Sequence, residues 1–143
     1  MNSMNCTKTR RDKLIAVEEK GKKFVLSNPQ RVEVKQTQID GCLYLNNKER
    51  RCDYLFEYES PSPTMIFLEL KGKNIKDAYR QLISTLDTFR EKRGKRKVYC
   101  FVVASRVPKT IPGVQNLVIE LSTKYEVVLR VRNKQAEFSL SAN

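Results

Sequence analysis

Between Cys52 and Leu82 the chain reads CDYLFEYESPSPTMIFLELKGKNIKDAYRQL, and the apolar run Met65-Ile66-Phe67-Leu68 leads straight into Glu69-Leu70-Lys71. A short apolar run bounded by turn-forming residues describes a buried strand, so an acid and a base are strung on an element with apolar surroundings. An unpaired charge in such a place costs several kcal/mol. Natural chains keep buried charges mainly where they pair, bind a metal or do chemistry. The two prolines of Glu59-Ser60-Pro61-Ser62-Pro63-Thr64 do not allow a strand to continue. The stretch therefore divides into a strand from Cys52 to Tyr58, a tight loop, a strand from Met65 to Lys71, and a helix.

If that loop closes an antiparallel pair with Glu57 opposite Met65, Asp53 falls opposite Glu69 and both side chains leave the same face. Directly opposed residues lie about 5 Å apart at Cβ, and the period of two brings Lys71 to that face as well. A slip of one residue would undo the arrangement. Two carboxylates so placed suit Mg²⁺, a hard cation that keeps several waters and takes further ligands from a substrate's phosphates. Such an ion lowers the pKa of a bound water and stabilises charge developing on the phosphate. Lys71 is then placed to orient or deprotonate the attacking water. The competing reading of Asp53 and Glu69 is a buried salt-bridge set with Lys71 and Arg51 in a protein that catalyses nothing. The triplet E-x-K alone does not decide, because Glu18-Glu19-Lys20 and Glu33-Val34-Lys35 also fit it. What distinguishes Glu69-Leu70-Lys71 is the apolar strand before it and Asp53 on the preceding strand.

The chain has 143 residues, which suits one domain over 1–143, with residues 1–9 expected to be loose. Lys and Arg outnumber Asp and Glu by 28 to 16, a net charge of +12, which predicts a polyanionic partner, nucleic acid above all. There is no histidine, so every mechanism that needs an imidazole base, acid or metal ligand is excluded for this polypeptide acting alone. Cys6, Cys42, Cys52 and Cys100 form no CxxC pair, which argues against a zinc ribbon or a dense disulfide framework. An intracellular, cytoplasmic and reduced setting is the expectation. No apolar run approaches a signal-peptide core or a membrane span, so no membrane partner is expected.

Elsewhere, Leu14, Val17 and Glu18 at helical spacing predict a helix from Lys8 to about Lys20 ending at Gly21, with Glu18 on the core-facing side and Glu19 its competitor. Arg31 to Gln36 alternates like a half-exposed strand, which Ile39 to Leu45 continues past Asp40-Gly41; residues 46–50 read as a polar hairpin tip. Asn74 is a fair N-cap for a long helix carrying Ile75, Ala78, Tyr79, Leu82, Leu86 and Phe89 on one face and ending at Gly94. Arg90 to Lys97 is the densest positive run. Val98 to Ala104 reads as a buried parallel strand reached through that helix. Val114, Leu117, Val118 and Leu121 fit a helix face, although Leu117 to Leu121 also fits a strand. Glu126 to Arg132 and Gln135 to Leu140 read as a closing strand pair around Asn133-Lys134. This order predicts an α/β fold, a three-layer α/β/α sandwich with a mixed central sheet.

Asp53, a spacer ending in a short apolar strand, then Glu69-Leu70-Lys71 and a helix resembles the PD-(D/E)xK, or restriction-endonuclease-like, nuclease superfamily, over residues 10 to 104. Cys52 stands where the name of the motif has proline. The resemblance implies Asp53 and Glu69 as metal ligands, the Leu70 carbonyl as a further one, Lys71 as the catalytic lysine, a first-helix acid that Glu18 would supply, and a glutamine for which Gln81 is placed. It implies Mg²⁺, with Mn²⁺ able to substitute, and hydrolysis of phosphodiester bonds. Lys73, Lys76, Arg80, Gln81, Arg90, Arg93, Lys95, Arg96 and Lys97 are the candidates for holding phosphates. Such contacts confer affinity without reading sequence, so structure-specific cutting of DNA, as in the similarly sized Holliday junction resolvases of this superfamily, is the first expectation, with a homodimer supplying two cuts. A nuclease-fold protein that only binds nucleic acid or assembles with a partner is the alternative, and an RNA-directed nuclease a further one.

Overall fold

The chain is described here by a computed structural model covering residues 3–44, 51–72, 75–105 and 112–141. A 3-10 turn, Ser3–Cys6, leads into β1 (Thr7–Arg10), β2 (Leu14–Glu19), β3 (Lys22–Ser27), β4 (Val34–Gln38), β5 (Tyr54–Tyr58) and β6 (Thr64–Gly72). Then follow α1 (Ile75–Thr88), the single turn α2 (Arg90–Arg93), β7 (Lys97–Ala104), α3 (Pro112–Tyr125), β8 (Val127–Asn133) and β9 (Gln135–Ser139). Six strands form one sheet in the order β1-β4-β5-β6-β7-β8, and β2-β3-β9 form a smaller one.

The Pro-rich loop sets the hairpin at the centre of the large sheet. β5 and β6 pair antiparallel with Glu57 opposite Met65, the register expected from the sequence. β6, β7 and β8 are parallel, so α1 and α3 are crossover helices. Crossovers of one hand that progress in one direction along a sheet land on the same face. Accordingly, Ala78, Leu82 and Leu86 of α1 and Leu121 of α3 share one core cluster with Leu55, Met65, Phe67, Val98, Cys100, Val102 and Leu129.

The other face is covered by the small sheet, not by a helix. Ile15, Val17, Phe24, Leu26, Ala136 and Phe138 pack there against Phe56, Ile66, Leu68, Leu70, Phe101 and Val103. The α/β class and the mixed sheet are as expected, but the helix expected over residues 8–20 is a correction. Ile15 and Val17 are buried while Leu14 and Glu18 are exposed, which is the alternation of a strand. Lys20 and Gly21 both take positive φ, 49° and 78°, the geometry of a two-residue hairpin turn that joins β2 to β3 with Glu19 opposite Lys22. The two closing strands do not pair with one another either. β8 extends the large sheet beside β7, whereas β9 joins β3 in the small one; the chain changes sheet at Lys134, whose φ is 65°.

Further expectations change near the N-terminus. Residues 3–10 are placed in the 3-10 turn and in β1, which pairs with β4, and Cys6 is bonded to Cys42 in a disulfide with a Cα–Cα distance of 5.7 Å. The thiol form expected for all four cysteines holds for Cys52 and Cys100, both buried. Ile39 to Tyr44 is a turn, closed by the hydrogen bond from Tyr44 N–H to the Ile39 carbonyl at 2.9 Å, and no strand continues there. The hairpin tip at 46–50 and the cap at Asn74 lie outside the described residues. Among the described residues no helix is long and apolar enough to cross a membrane.

Phe24 is the centre of the inter-sheet core, with its ring 5.6 Å from Phe56 and 5.1 Å from Phe101, centroid to centroid. Phe24→Ala is expected to lower stability by about 3–5 kcal/mol, read as a reduced urea midpoint at an unchanged m-value.

Candidate functional site

Asp53 precedes β5 by one residue, and the regular β5–β6 pairing ends at Tyr54 opposite Leu68. Asp53 N–H donates to the Leu68 carbonyl at 2.9 Å, one residue out of the ladder's register as at a β-bulge, and Ile39 N–H donates to the Asp53 carbonyl at 2.8 Å. The side chain is held too, since Asp53 Oδ2 accepts the Leu70 N–H at 2.8 Å. Asp53 is 3% exposed and Glu69 2%. By alternation within β6, Glu69 lies on the face of Met65 and Phe67, the helix-covered side of the large sheet.

α1 is tied to this point by Thr85. Its hydroxyl accepts the Cys52 N–H at 2.9 Å and donates to the Gln81 carbonyl at 2.7 Å. Nothing in the sequence marked Thr85, because a buried threonine on a helix reads as ordinary packing until its partner strand is known. Gln81, one helical turn before it, is also buried. Burial pushes the Cys52 thiol well above the usual range, the Thr85 hydrogen bond acts the other way, and the negative fields of Glu69 and Asp53 add to the rise. Cys52 thus lies within the field of both carboxylates and is a neutral neighbour, not a nucleophile.

The β6–β7 ladder is irregular between Glu69 and Gly72, which places the break on Leu70 and Lys71. Lys71 continues β6 by its backbone, while its side chain and the whole of Lys73 lie outside the described residues. Glu18 does not join the carboxylates. It is exposed on the outer face of the small sheet, opposite Lys23, with both core layers between it and Asp53. The residue of β2 that turns inward is Glu19. Among the described residues no group of three or more Asp, Glu, Cys or His side chains forms a metal-binding cluster.

The phosphate-binding candidates separate into two groups. α1 begins beside the end of β6, so Lys76 and Arg80, both exposed, are on the carboxylate side of the molecule; Arg80 is 3.9 Å from Asp77. The run from Arg90 to Lys97 is at the other end. Lys97 is opposite Thr64, the first residue of β6, and the five residues from there to Glu69 span about 16 Å. Much of its charge is also committed. Arg90 pairs with Asp87 at 2.8 Å, Lys92 with Glu57 at 3.2 Å, and Arg96 with Glu59. Arg93 donates to the Tyr125 and Glu126 carbonyls at the end of α3, a position where cations offset the helix dipole. Lys95 and Lys97 remain exposed in this run.

Comparison with family models, with curated proteins and with solved structures gives no match.

Removing the Asp53 carboxylate leaves the buried Leu70 N–H without its acceptor, so Asp53→Ala is expected to cost about 1–3 kcal/mol of stability. Glu18→Gln, on the outer surface, is expected to change it by less than about 0.5 kcal/mol. Denaturant unfolding of the two variants beside the parent protein checks both values.

Proposed function

We propose that the protein is a divalent-metal-dependent phosphodiesterase of the PD-(D/E)xK, restriction-endonuclease-like kind, acting on DNA. One observation carries this reading. Asp53 and Glu69 are two almost fully buried carboxylates near one another at the end of the central hairpin, where Asp53 Oδ2 accepts the Leu70 N–H and both act on Cys52. Two carboxylates so close together are hard oxygen ligands of the kind that suits a divalent cation. The hairpin, the parallel strand reached through α1, and the sheet with helices on one face are also compatible with the restriction-endonuclease-like fold, with the small β2-β3-β9 sheet standing where a helical layer was expected.

The donor set fits Mg²⁺. Both side chains are hard oxygen ligands, Asp53 has Oδ1 in addition to the oxygen that accepts the Leu70 N–H, and Mg²⁺ completes its shell with waters and substrate oxygens instead of demanding a third or fourth carboxylate. Asp53 and Glu69 would hold the ion, with the Leu70 carbonyl as a further ligand. When bound it would supply an acidified water and neutralisation of phosphate charge. This chain's own contributions are then distinct. Leu70 N–H and the two backbone hydrogen bonds keep Asp53 from rotating away, Thr85 holds α1 against the start of β5, and Lys71, two residues beyond Glu69, is the candidate to orient the attacking water and hold its proton. With no histidine in the chain, Lys71 is the nearest candidate on the same strand for that role.

The test is incubation of the purified protein with Mg²⁺, Mn²⁺ or EDTA and a panel of linear, branched and single-stranded DNAs and RNA. The expected result is metal-dependent cleavage of DNA, strongest on branched substrates. Asp53→Asn, Glu69→Gln and Lys71→Ala should each lower the rate by about 10²- to 10⁴-fold while the circular dichroism spectrum is retained. Cleavage that persists in all three variants, or nucleic-acid binding with no cleavage of any substrate, would overturn the reading.

A further inference from the structure

The cations that converge on the carboxylate end of the sheet are not those that are dense in the sequence. Gly72 of β6 is level with Ala104 of β7, and Ala104 with Asn133 of β8, so these residues mark the rim just beyond Glu69. Lys134 N–H donates to the Ala104 carbonyl at 2.8 Å, and Lys23 N–H donates to the Lys134 carbonyl at 2.9 Å. The change of sheet at Lys134 and the hairpin turn at Lys20-Gly21 are thereby fastened to the same rim. Lys20, Lys22, Lys23, Arg132 and Lys134 come together there from two segments separated in sequence.

Their condition differs from that of the Arg90 to Lys97 run. Among the described residues none of the five side chains makes an ion pair, and Lys20, Arg132 and Lys134 are exposed. Lys22 is the most informative. It is 6% exposed and on the inner face of β3 with Phe24 and Leu26, yet its side chain has no hydrogen-bond or ion-pair partner among the described residues. A lysine so placed buries its stem between the sheets and sends its charged head toward water at the rim. Holding five cations close together, with Glu18 and Glu19 as the acids leading into the turn, is electrostatically unfavourable, and a polyanion relieves it.

We propose that this corner, formed by the β2–β3 turn and the β8–β9 crossover, is where the phosphate backbone of a DNA duplex is held while another part of the duplex lies over Asp53 and Glu69. The inference rests on the nuclease reading only for the second half of that statement. The spacing fits: two strand intervals across the sheet and one sheet interval through it separate the corner from the carboxylates, about 14 Å, which is about four base-pair steps along a duplex. The Arg90 to Lys97 run, at the opposite end, does not share this surface.

The test measures binding of a fluorescein-labelled 20-base-pair duplex to the full chain in EDTA, by anisotropy, over a range of salt concentrations. Replacing Lys20, Lys23, Arg132 and Lys134 together by Gln is expected to reduce the slope of log K against log salt by about 0.9 for each phosphate no longer neutralised, about 3 to 4 in all. Replacing Arg90, Lys95 and Lys97 by Gln is expected to leave the slope unchanged. A change below about 1 in the first variant, or a larger one in the second, overturns the proposal. If the fourfold variant does not fold, Lys20 and Lys134 alone replaced by Gln should lower the slope by about 2. Because binding is read without metal, the two readings fail separately. An altered slope in a protein that never cleaves keeps the corner and removes the nuclease, whereas normal cleavage with an unaltered slope does the reverse.

Discussion

The burial of two neighbouring carboxylates at the end of the central hairpin is the constraint around which the other elements are arranged. Asp53 and Glu69 are taken almost entirely out of water on one side of the central hairpin, a placement that is costly for like charges in a medium of low dielectric. The surrounding backbone meets part of that cost. Leu70 N–H bonds to Asp53, the strand ladder fixes the Asp53 backbone, and Thr85 anchors α1 to Cys52. The ladder between β6 and β7 loses its regularity only after Glu69, where the strand leaves the core.

The large sheet follows from that hairpin and from handedness. Once β6 is central, two successive parallel crossovers in one direction place α1 and α3 on the carboxylate face. The opposite face, with Phe56, Ile66, Leu68, Phe101 and Val103, must then be covered by something else. The N-terminal hairpin and β9 do this as a small sheet. Segments from both ends of the chain therefore meet on one side of the molecule, and the meeting place is the rim where Lys134 bonds to Lys23 and to Ala104.

Charge shows most clearly how sequence density differs from available charge. Arg90 to Lys97 holds the largest cluster of positive residues, but neighbouring acids and the carbonyls at the end of α3 already engage Arg90, Lys92, Arg93 and Arg96. Lysines outside that run, such as Lys20 and Lys134, sit in left-handed turns that project from the rim. A cation with an ion-pair partner has less to offer a phosphate than one without, so it is pairing, not the count of Lys and Arg, that identifies a binding surface.

Local pattern alone determined the central hairpin, its register, the crossover helix α1 and the buried strand β7, because prolines, apolar runs and helical spacing act over a few residues and each leaves few alternatives. The register of Glu57 opposite Met65 was legible for the same reason: a short loop leaves one register that buries the apolar face. The N-terminal segment was not legible. Leu14, Ile15 and Val17 satisfy a helical stripe as well as a strand, and the turn at Lys20-Gly21 decides for the strand only when a second sheet face is there to receive Ile15, Val17, Phe24 and Leu26. The partners of β8 and β9, the Cys6–Cys42 bond, the inward turn of Glu19 and the gathering of Lys20, Lys22, Lys23, Arg132 and Lys134 all join distant segments. Those were decided by the tertiary structure, since residues far apart in sequence acquire neighbours only when the layers pack.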